Sequence, residues 1–409
     1  MSTPAPANGP AHDVLIVGGG LVGASLAIAL DAQGLDVAMV EAAPAGALPP
    51  VFDQRNLSLA EATLNALDAL GVLPLLRAPT GPIRRIHVSR AGDFGRMLLE
   101  AESHGRQEFG RVVVARDFGE ALEARLLQLQ RLTRYRPARF VGLGEAGDGL
   151  RRVRIADDAG EHALHARLVV AADGARSAVR DALGIATRDH DYGQTLFVAR
   201  LRTQRAPDGT AYERLTDHGP TALLPRGDGH YGLVHGVPRG DAETVAALDD
   251  AAFLARAQDA FGWRAGRFLA VGPRSTYPMQ SSIADALVAP RAVLVGNAAQ
   301  AIHPLGAQGF NLGLRDALTL AECIADSRDP GEAAVLERHA RRRAQDRGRT
   351  IAFSDGLAKL TANDAPLLRP LRSAGLVAGD AFGWLQGWLV GGAMGYRGDV
   401  PALCRKVAA

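Results

Sequence analysis

Apolar residues mark the elements of this chain by their spacing. Asp13 to Val17 is a short apolar run that ends in a glycine cluster, the pattern of a strand covered on both faces. Leu21 to Gln33 carries Leu, Ala and Ile at helical spacing, and Gly34 fits its end. Val37 to Val40 is a second strand, ending at Glu41. Leu57, Leu64, Leu67 and Leu70 predict a helix from Leu57 to Leu70, stopped by Gly71. Phe118, Leu122, Leu126 and Leu129 predict another.

From Arg139 to Val170 the pattern changes to short strands with turn signals: Phe140-Val141, Arg152 to Ile155 and Leu168 to Ala171. Residues 190 to 280 look similar. Thr195 to Arg202 and Tyr231 to Val237 are separated by Gly, Pro and Asp, as in an antiparallel sheet. Ala292 to Val295 is again a buried strand, Leu312 to Ile324 a helix, and the chain from about Gly331 onward reads as helical. There is no internal repeat. The α/β pieces at the start, in the middle and near residue 300 flank a β-rich insertion, so an interleaved α/β fold is expected.

Composition narrows the classes. The 409 residues exceed one hydrophobic core, so at least two subdomains are expected. With 47% hydrophobic and 22% charged residues, the chain has the make-up of a folded globule. A net charge of +2 argues against nucleic acid as the main partner. Two cysteines, Cys323 and Cys404, cannot build a disulfide framework or a four-thiolate metal site, so a reducing compartment is the expectation. The 11 histidines show no metal-ligand spacing. Only Lys359 and Lys406 are lysines, which argues against lysine chemistry. Met1 to Pro10 is polar and Pro-rich and does not read as a secretory signal. The longest uncharged stretch, Ala381 to Tyr396, is shorter than the ~20 residues of a membrane span.

The spacing Gly-x-Gly-x-x-Gly occurs three times, at Gly18/Gly20/Gly23, Gly142/Gly144/Gly147 and Gly227/Gly229/Gly232. With 47 glycines, chance alone supplies about 0.6 copies, so context decides. Only the first copy follows a strand, opens a helix and has an acid 23 residues past its first glycine, at Glu41. There the glycines allow a tight turn, backbone approach to a pyrophosphate, and close packing of helix on strand. The helix N-terminus presents free N–H groups and a positive dipole end, and Glu41 can accept from a ribose. The other two copies read as β-hairpin turns. No second nucleotide domain is expected.

Two further segments carry chemistry. Ala171-Ala172-Asp173-Gly174-Ala175-Arg176-Ser177 is a strand end followed by turn and cap residues. Gly296-Asn297-Ala298-Ala299-Gln300-Ala301-Ile302-His303-Pro304-Leu305-Gly306-Ala307-Gln308-Gly309-Phe310-Asn311-Leu312-Gly313 leaves a strand as a loop of small residues and enters a helix near Asn311.

Together the three segments resemble the single-component flavin monooxygenases, the aromatic hydroxylases related to hydroxybenzoate hydroxylase. The stretch Gly296 to Pro304 and the stretch Asp53-x-Arg55-x-Leu57-Ser58 are most similar to the ubiquinone-biosynthesis branch, the 2-polyprenyl-6-methoxyphenol hydroxylases. The resemblance runs from about residue 12 to about residue 400. It implies a Rossmann-like FAD-binding domain of the glutathione-reductase type (1–75, 100–185 and 282–330), a β-sheet substrate domain (76–99 and 186–281) and a C-terminal helical region (331–409). It implies FAD as cofactor, held by Gly18, Gly20, Leu21, Val22, Gly23, Glu41, Ala42, Arg55, Arg116, Phe140, Asp173, Gly174, Gly296, Asn297, Pro304, Gly306, Gln308, Gly309, Phe310, Asn311 and Leu312, with Arg55 and Pro304 closest to the chemistry. The reaction implied is hydroxylation of a lipophilic polyprenyl phenol by NAD(P)H and O₂ through a flavin C4a-hydroperoxide, with no metal. His303 is as readily structural as flavin-facing. Cytoplasmic placement, contact with the inner face of the membrane and association with other ubiquinone-biosynthesis proteins are implied as well.

One position departs from most of the wider family and one from the branch. Asn297 stands where most relatives carry Asp, which keeps an acceptor and removes a charge. Ala307 stands where glycine is usual, and an Ala at positive φ costs about 1 kcal/mol. The run Arg338, Arg341, Arg342, Arg343, Arg347 and Arg349, followed by Phe382, Trp384, Leu385, Trp388, Leu389 and Val390, fits either an anionic membrane surface or a solvated helix before a core helix. A flavin disulfide reductase lacks its cysteine pair here, and a flavin halogenase lacks its lysine. A prenyl-chain reductase and a non-catalytic FAD-binding subunit remain as other readings, as does a monooxygenase of another aromatic substrate.

Overall fold

The run Val14-Leu15-Ile16-Val17 serves both faces of one sheet. Val14 and Ile16 pack with the helices Leu21–Asp31 and Gly309–Ala325, while Leu15 and Val17 join Val153, Ile155, Leu164 and Val169 on the opposite side. Neither face meets water, so the strand is apolar throughout rather than alternating. The computed structural model that shows this describes residues 11–361 and 369–405. Met1 to Pro10 and Lys406 lie outside the described residues.

The strand is central in a sheet ordered Val288–Ala289, Ala292–Leu294, Gly160–Ala171, Ala11–Val17, Val37–Val40, Leu132–Tyr135. From Ala292–Leu294 onward its members are parallel. Arg139–Gly147 and Leu150–Asp157 add to Gly160–Ala171 as an antiparallel meander that covers one face. A second sheet is ordered Gln300–Ala301, Ser275–Ala284, Thr187–Thr203, Tyr231–Pro238, Thr221–Pro225, Thr210–Leu215, Arg85–Arg90, Arg96–Glu100. The helix Asp250–Phe261 packs Phe253, Ala257 and Phe261 on one face of it, against Phe197, Leu201, Leu223 and Leu233. This interleaving of a parallel α/β sheet with a β-sheet unit, followed by helices, is the fold class expected.

Four local expectations are corrected. Leu57 to Ala60 is the end of a strand, Asn56–Ala60, and the helix begins only at Glu61. Pairing with Gly110–Val114 overrides the helical spacing of the leucines. Gly142 to Gly147 lies within the strand Arg139–Gly147, and the hairpin turn comes one step later, at Asp148 and Gly149. Those two adopt φ 49 and φ 77, the left-handed pair that a two-residue hairpin loop requires. The helix expected near Asn311 starts at Gly309. The helix Asp250–Phe261 interrupts a region read as strands; Asp249 caps it by accepting from the Ala252 N–H at 2.8 Å.

The basic run is not a solvated or membrane-facing stripe along its whole length. It lies on the long helix Ala333–Thr361, where Arg343 is fully buried. Arg343 Nε donates to Asp316 at 2.7 Å and its Nη2 to Asp346 at 2.7 Å, and Asp346 also receives Arg315 Nε at 2.7 Å. Arg342 is held by Asp399 and Glu322, both at 2.6 Å. Arg341 and Arg349 remain exposed. Charges so buried persist only because each finds its counter-charge.

Burial also fixes three histidines in the neutral form. His235 and His303 are pushed down to about 4 and His339 to about 3, in each case chiefly by loss of hydration. All three lie below the ordinary value near 6.5, so between pH 6.5 and 4 the unfolded chain binds protons that the folded chain refuses. The stability these histidines contribute is complete above pH 6.5 and falls as pH falls, by about 2 kcal/mol per histidine at pH 5, and is partly offset by Glu213, whose carboxyl burial raises to about 7. Urea unfolding at pH 7 and pH 5 will show the drop, and His339→Leu will remove about a third of the histidines' share. Equal stability at the two pH values contradicts the assignment.

Candidate functional site

The turn after the first strand is shaped by what its glycines omit. Gly18 has φ +104, and a Cβ there would stand 2.5 Å from the Ala172 carbonyl oxygen. A Cβ on Gly23 would stand 2.0 Å from the Gly18 oxygen. Gly20 differs: its Cβ would meet only a methyl of Val51, at 3.5 Å, so its backbone is open to approach. The Ala24 N–H makes the first intrahelical bond, to Gly20 O at 2.9 Å. Leu21, half-buried Val22 and Gly23 precede it, and their N–H groups lie at the positive end of the helix dipole.

Glu41 ends the second strand nine-tenths buried. Its Oε2 accepts from the Gly19 N–H at 2.8 Å and its Oε1 from the Ala43 N–H at 2.7 Å. The carboxylate thus braces the glycine turn, and each oxygen keeps a second lone pair for an incoming hydroxyl. Ala42 is exposed beside it, and Phe140 is half-buried in the strand Arg139–Gly147.

The second and third segments meet the first through small residues. Val22 fills the space that side chains on Gly296 and Gly313 would need; a Cβ on either would come within 2.9 Å and 2.8 Å of its Cγ2. Gly296 itself has φ +59. Asp173 is bonded by the Ser177 hydroxyl at 2.5 Å and the Val179 N–H at 3.2 Å, and burial, outweighing those bonds, raises its carboxyl above the ordinary range. Arg180 donates to Ala175 O at 3.0 Å and Ala298 O at 3.2 Å, tying this segment to the third. Gly174 has φ +88 with nothing near the position of a Cβ, and the Cβ positions of Gly306 and Gly309 are likewise open.

Along the third loop, Asn297, Pro304 and Gly306 are exposed. Ala307 does adopt the left-handed conformation, φ 51, with its N–H on Pro304 O at 2.7 Å. Gln308 is buried; its Nε2 reaches Gly306 O at 3.0 Å and its Oε1 has no partner. Phe310 meets Phe118 edge-on at 5.4 Å, and Leu312 is fully buried. The Asn311 side chain is engaged on every side: it accepts from Ala60 N–H (3.0 Å) and the Thr63 hydroxyl (2.7 Å) and donates to Ser58 O and Ala307 O (both 2.9 Å). It fastens loop to helix and leaves no bond for a ligand. His303, with Nδ1 accepting from the Leu305 N–H at 3.1 Å, is likewise structural.

Arg55 is not free. Its Nε and Nη2 grip Asp53 at 2.8 and 2.7 Å, and its guanidinium lies 4.6 Å from the centre of the Tyr277 ring. Tyr277 donates to Asp53 at 2.6 Å, which joins the second sheet to the mouth of the first. Burial alone would raise Asp53, but Arg55 and Tyr277 prevail and hold its carboxyl below the usual range. Arg116 donates its N–H to Asp53 O at 2.9 Å while its exposed side chain lies 3.6 Å from Glu120.

Four participants were missed in the sequence: Tyr277, Gln300's grip on Asp316, Asp316 itself and Arg347. Tyr277 gave no signal. Asp316 and Arg315 did, as adjacent charges in the middle of a largely apolar stretch of the helix Gly309–Ala325. Two cavities of 440 and 480 Å³ lie apart, one lined by Glu61, Asp68 and Arg106, the other by Phe197, Asp250 and Arg274. Neither is lined by the residues of the three segments.

FAD fits the residues present. Open space at Gly20, Gly174, Gly306 and Gly309 admits a ligand against bare backbone, a helix N-terminus suits a pyrophosphate, and buried Gln308 keeps an unused acceptor. Comparison with known proteins agrees. Residues 11–354 match the family described as FAD binding domain. Ubiquinone hydroxylase UbiL of Rhodospirillum rubrum is 34% identical over 388 residues, 94% of this chain and 89% of the relative. The 3-demethoxyubiquinol 3-hydroxylase of Escherichia coli is 30% identical, covering 91% of this chain and 96% of that one. The crystal structure of p-nitrophenol 4-monooxygenase PnpA from Pseudomonas putida superposes with a TM-score of 0.76 at 18% identity, over 95% of this chain and 100% of that one, which shows the same fold.

Gly23→Ala forces its methyl onto the Gly18 carbonyl and displaces the turn from the helix. The purified variant will retain less than about a tenth of the wild-type FAD, measured by visible absorbance against protein, since such a clash costs more than 1.4 kcal/mol of site geometry. Full retention contradicts the role of the turn.

Proposed function

The chain belongs to the FAD-binding domain family, and from that premise we propose that it is an FAD-dependent monooxygenase that hydroxylates the ring of a polyprenylated phenol in ubiquinone biosynthesis. The balanced reaction is phenol, O₂, NAD(P)H and H⁺ to the ring-hydroxylated product, water and NAD(P)⁺. The observation that carries the reading is the convergence of three separate segments: Ala172 of the second lies against Gly18 and Gly23, Gly296 and Gly313 of the third lie against Val22, the backbone of Gly20 stays open, and Asn297 and Pro304 are exposed. FAD, when bound, would supply the redox chemistry between NAD(P)H, O₂ and the ring.

The residues have separate tasks. The N–H groups of Leu21 to Gly23 and the open Gly20 backbone would hold the pyrophosphate, with Gly18 shaping the turn from behind. Glu41 orients the adenosine ribose. Asp173, Gly174, Gly296 and Asn297 line the ribityl chain, where Asn297 accepts a hydroxyl without adding charge. The backbone from Pro304 through Gly306 and Gly309 to Leu312 borders the flavin ring. Arg55, held by Asp53 and Tyr277, keeps a positive charge where the two sheets meet.

The sheet face on which Tyr277 stands provides the bed for the ring. Tyr277 is paired with Leu196, Val198 with Val234, and Ala222 with Val234, so these residues share one face. Val198, Leu224 and Val234 are only half-buried there, an apolar surface suited to an uncharged greasy phenol. Covering it with substrate excludes water from the oxygen transfer.

The finer reading of location is contact with a lipid surface. Among the described residues no helix is long and apolar enough to cross a membrane. Large apolar side chains nevertheless stand exposed at Phe94, Leu371, Val377, Phe382, Trp384 and Trp388, with Trp384 74% exposed. The helix Gly383–Ala393 carries no charged residue, and Arg397 lies 3.9 Å from the Trp388 ring centre. Exposed tryptophans beside arginine suit the interface of an anionic membrane.

Purified protein with FAD will oxidise NAD(P)H faster when a short-prenyl 2-methoxyphenol is added under O₂, and mass spectrometry will find the product one oxygen heavier. Flavin-bound protein with no phenol-stimulated oxidation and no such product sinks the reading. Val234→Trp will raise the KM for the phenol by about tenfold with flavin content unchanged. For location, Trp384→Ser with Trp388→Ser will release the protein from phosphatidylglycerol vesicles in a flotation assay. Equal flotation of wild type and variant, or none by either, rejects that surface.

A further inference from the structure

The long helix Ala333–Thr361 grips the loop Gly296 to Pro304 along its length. At the loop's start, the Gly296 N–H donates to Asp316 Oδ2 at 3.3 Å, and Asp316 Oδ1 is held by Arg343 of the helix at 2.7 Å. In its middle, Arg347 donates Nε to Gln300 Oε1 at 2.8 Å and Nη2 to Ala299 O at 3.2 Å. Near its end, the Ser354 hydroxyl donates to His303 O at 2.8 Å. Positions 343, 347 and 354 are spaced i, i+4 and i+11, which places them on one helical face. The loop therefore runs beside that face and is bonded to it at intervals.

Gln300 is the joint of this arrangement. It is 2% exposed and used at both ends, its Nε2 donating to Asp316 Oδ2 at 2.5 Å while Arg347 holds its oxygen. Arg347 Nη2 also reaches Ala284 O at 2.8 Å, the last residue of the strand Ser275–Ala284. That strand carries Tyr277, which bonds Asp53 at the mouth of the site. One guanidinium thus contacts both the loop and the strand that anchors Arg55. Asn297 and Pro304, the exposed residues of the loop, flank the section from Ala298 to His303 that contains Ala299, Gln300 and the His303 carbonyl.

We propose that Arg347, Gln300 and Ser354 are positioning residues through which the helix Ala333–Thr361 sets the Asn297–Pro304 loop against the flavin, so that the helix tunes the chemistry without touching it. The proposal rests on the reading that this loop borders bound FAD. A guanidinium serving three acceptors fixes the loop's middle in register, and a serine fixes the carbonyl just before Pro304. Loosening either moves the backbone beside the ring, while Val198, Leu224 and Val234 of the phenol bed lie on strands that neither Arg347 nor Ser354 bonds. The consequence falls on the chemical step and on the cofactor's electronic state, with binding of the phenol spared.

The test uses the FAD-loaded enzyme and the variants Arg347→Met, Arg347→Lys and Ser354→Ala, beginning with the wild type. Wild-type protein that binds no flavin or makes no product overturns the functional reading itself, and this proposal with it. With an active wild type, Arg347→Met will shift the flavin absorption envelope and midpoint potential and lower kcat by about tenfold or more, with the phenol KM within about twofold. Arg347→Lys, which keeps the charge and fewer of the bonds, will recover part of the kcat. Ser354→Ala loses a single hydroxyl and keeps the fold; it will move the same spectrum in the same direction by less. Should Arg347→Met fail to fold, Ser354→Ala decides. Variants that keep the wild-type spectrum, potential and kcat per bound flavin overturn the proposal, as does a loss of activity that follows flavin occupancy alone.

Discussion

The Asp316 carboxylate is the point on which the three parts of the molecule depend. It is 2% exposed, and it accepts from the first residue of the third loop, from Gln300 in that loop, and from Arg343 of the long helix. Arg343 is shared with Asp346, which is shared in turn with Arg315. Replacing such a network whole by apolar residues would cost little, yet removing one member costs about 3–5 kcal/mol because the others stay buried without partners. Its value is therefore specificity. Apolar packing alone would tolerate a loop shifted along the helix, whereas these carboxylates and guanidinium groups pair in one register, with Arg315 Nη1 and Arg343 Nη1 left over.

Glycines complete what the charges begin. Gly296 and Gly313 let Val22 approach, so the loop set by Asp316 is pressed onto the helix that opens after Gly18 to Gly20. Asn311, with four bonds, holds the other side of the loop to Ser58, Ala60 and Thr63. The result is a preformed rim of bare backbone, joined to the second sheet through Tyr277, Asp53 and Arg55. An enzyme that leaves the oxygen chemistry to its cofactor needs such a rim more than it needs a catalytic side chain. The proposed function follows from the rim and from the apolar bed of Val198, Leu224 and Val234 opposite it.

Much of this was readable from residue types. The first strand, helix and second strand, the hairpins at Gly227 to Gly232, and the buried strand Ala292 to Leu294 all lie where hydrophobic spacing put them. The first glycine triplet was separable from its two imitators because only it follows a strand and precedes a helix. What could not be read was set by partners distant in sequence. Leu57 to Ala60 follows helical spacing but pairs with Gly110 to Val113. Arg343 looks like one arginine among six until Asp316, 27 positions earlier, is seen against it. Tyr277 lies in an ordinary strand and gains its role only from Asp53, 224 residues away. The side chains expected to meet the cofactor also sort unevenly: Asn297 is exposed, whereas Asn311 is consumed by the fold and Arg55 is shared with it.

The central claim is that the buried charges and Val22 shape the cofactor rim before any cofactor arrives. Hydrogen exchange of the apo-protein, followed residue by residue through Gly296 to His303, tests it most directly. The Gly296 N–H on Asp316 and the Ala299 N–H on the Gly296 carbonyl will exchange slowly without FAD, and Asp316→Asn will speed both. Exchange of those amides at the rate of an unstructured loop until FAD is added would contradict the account.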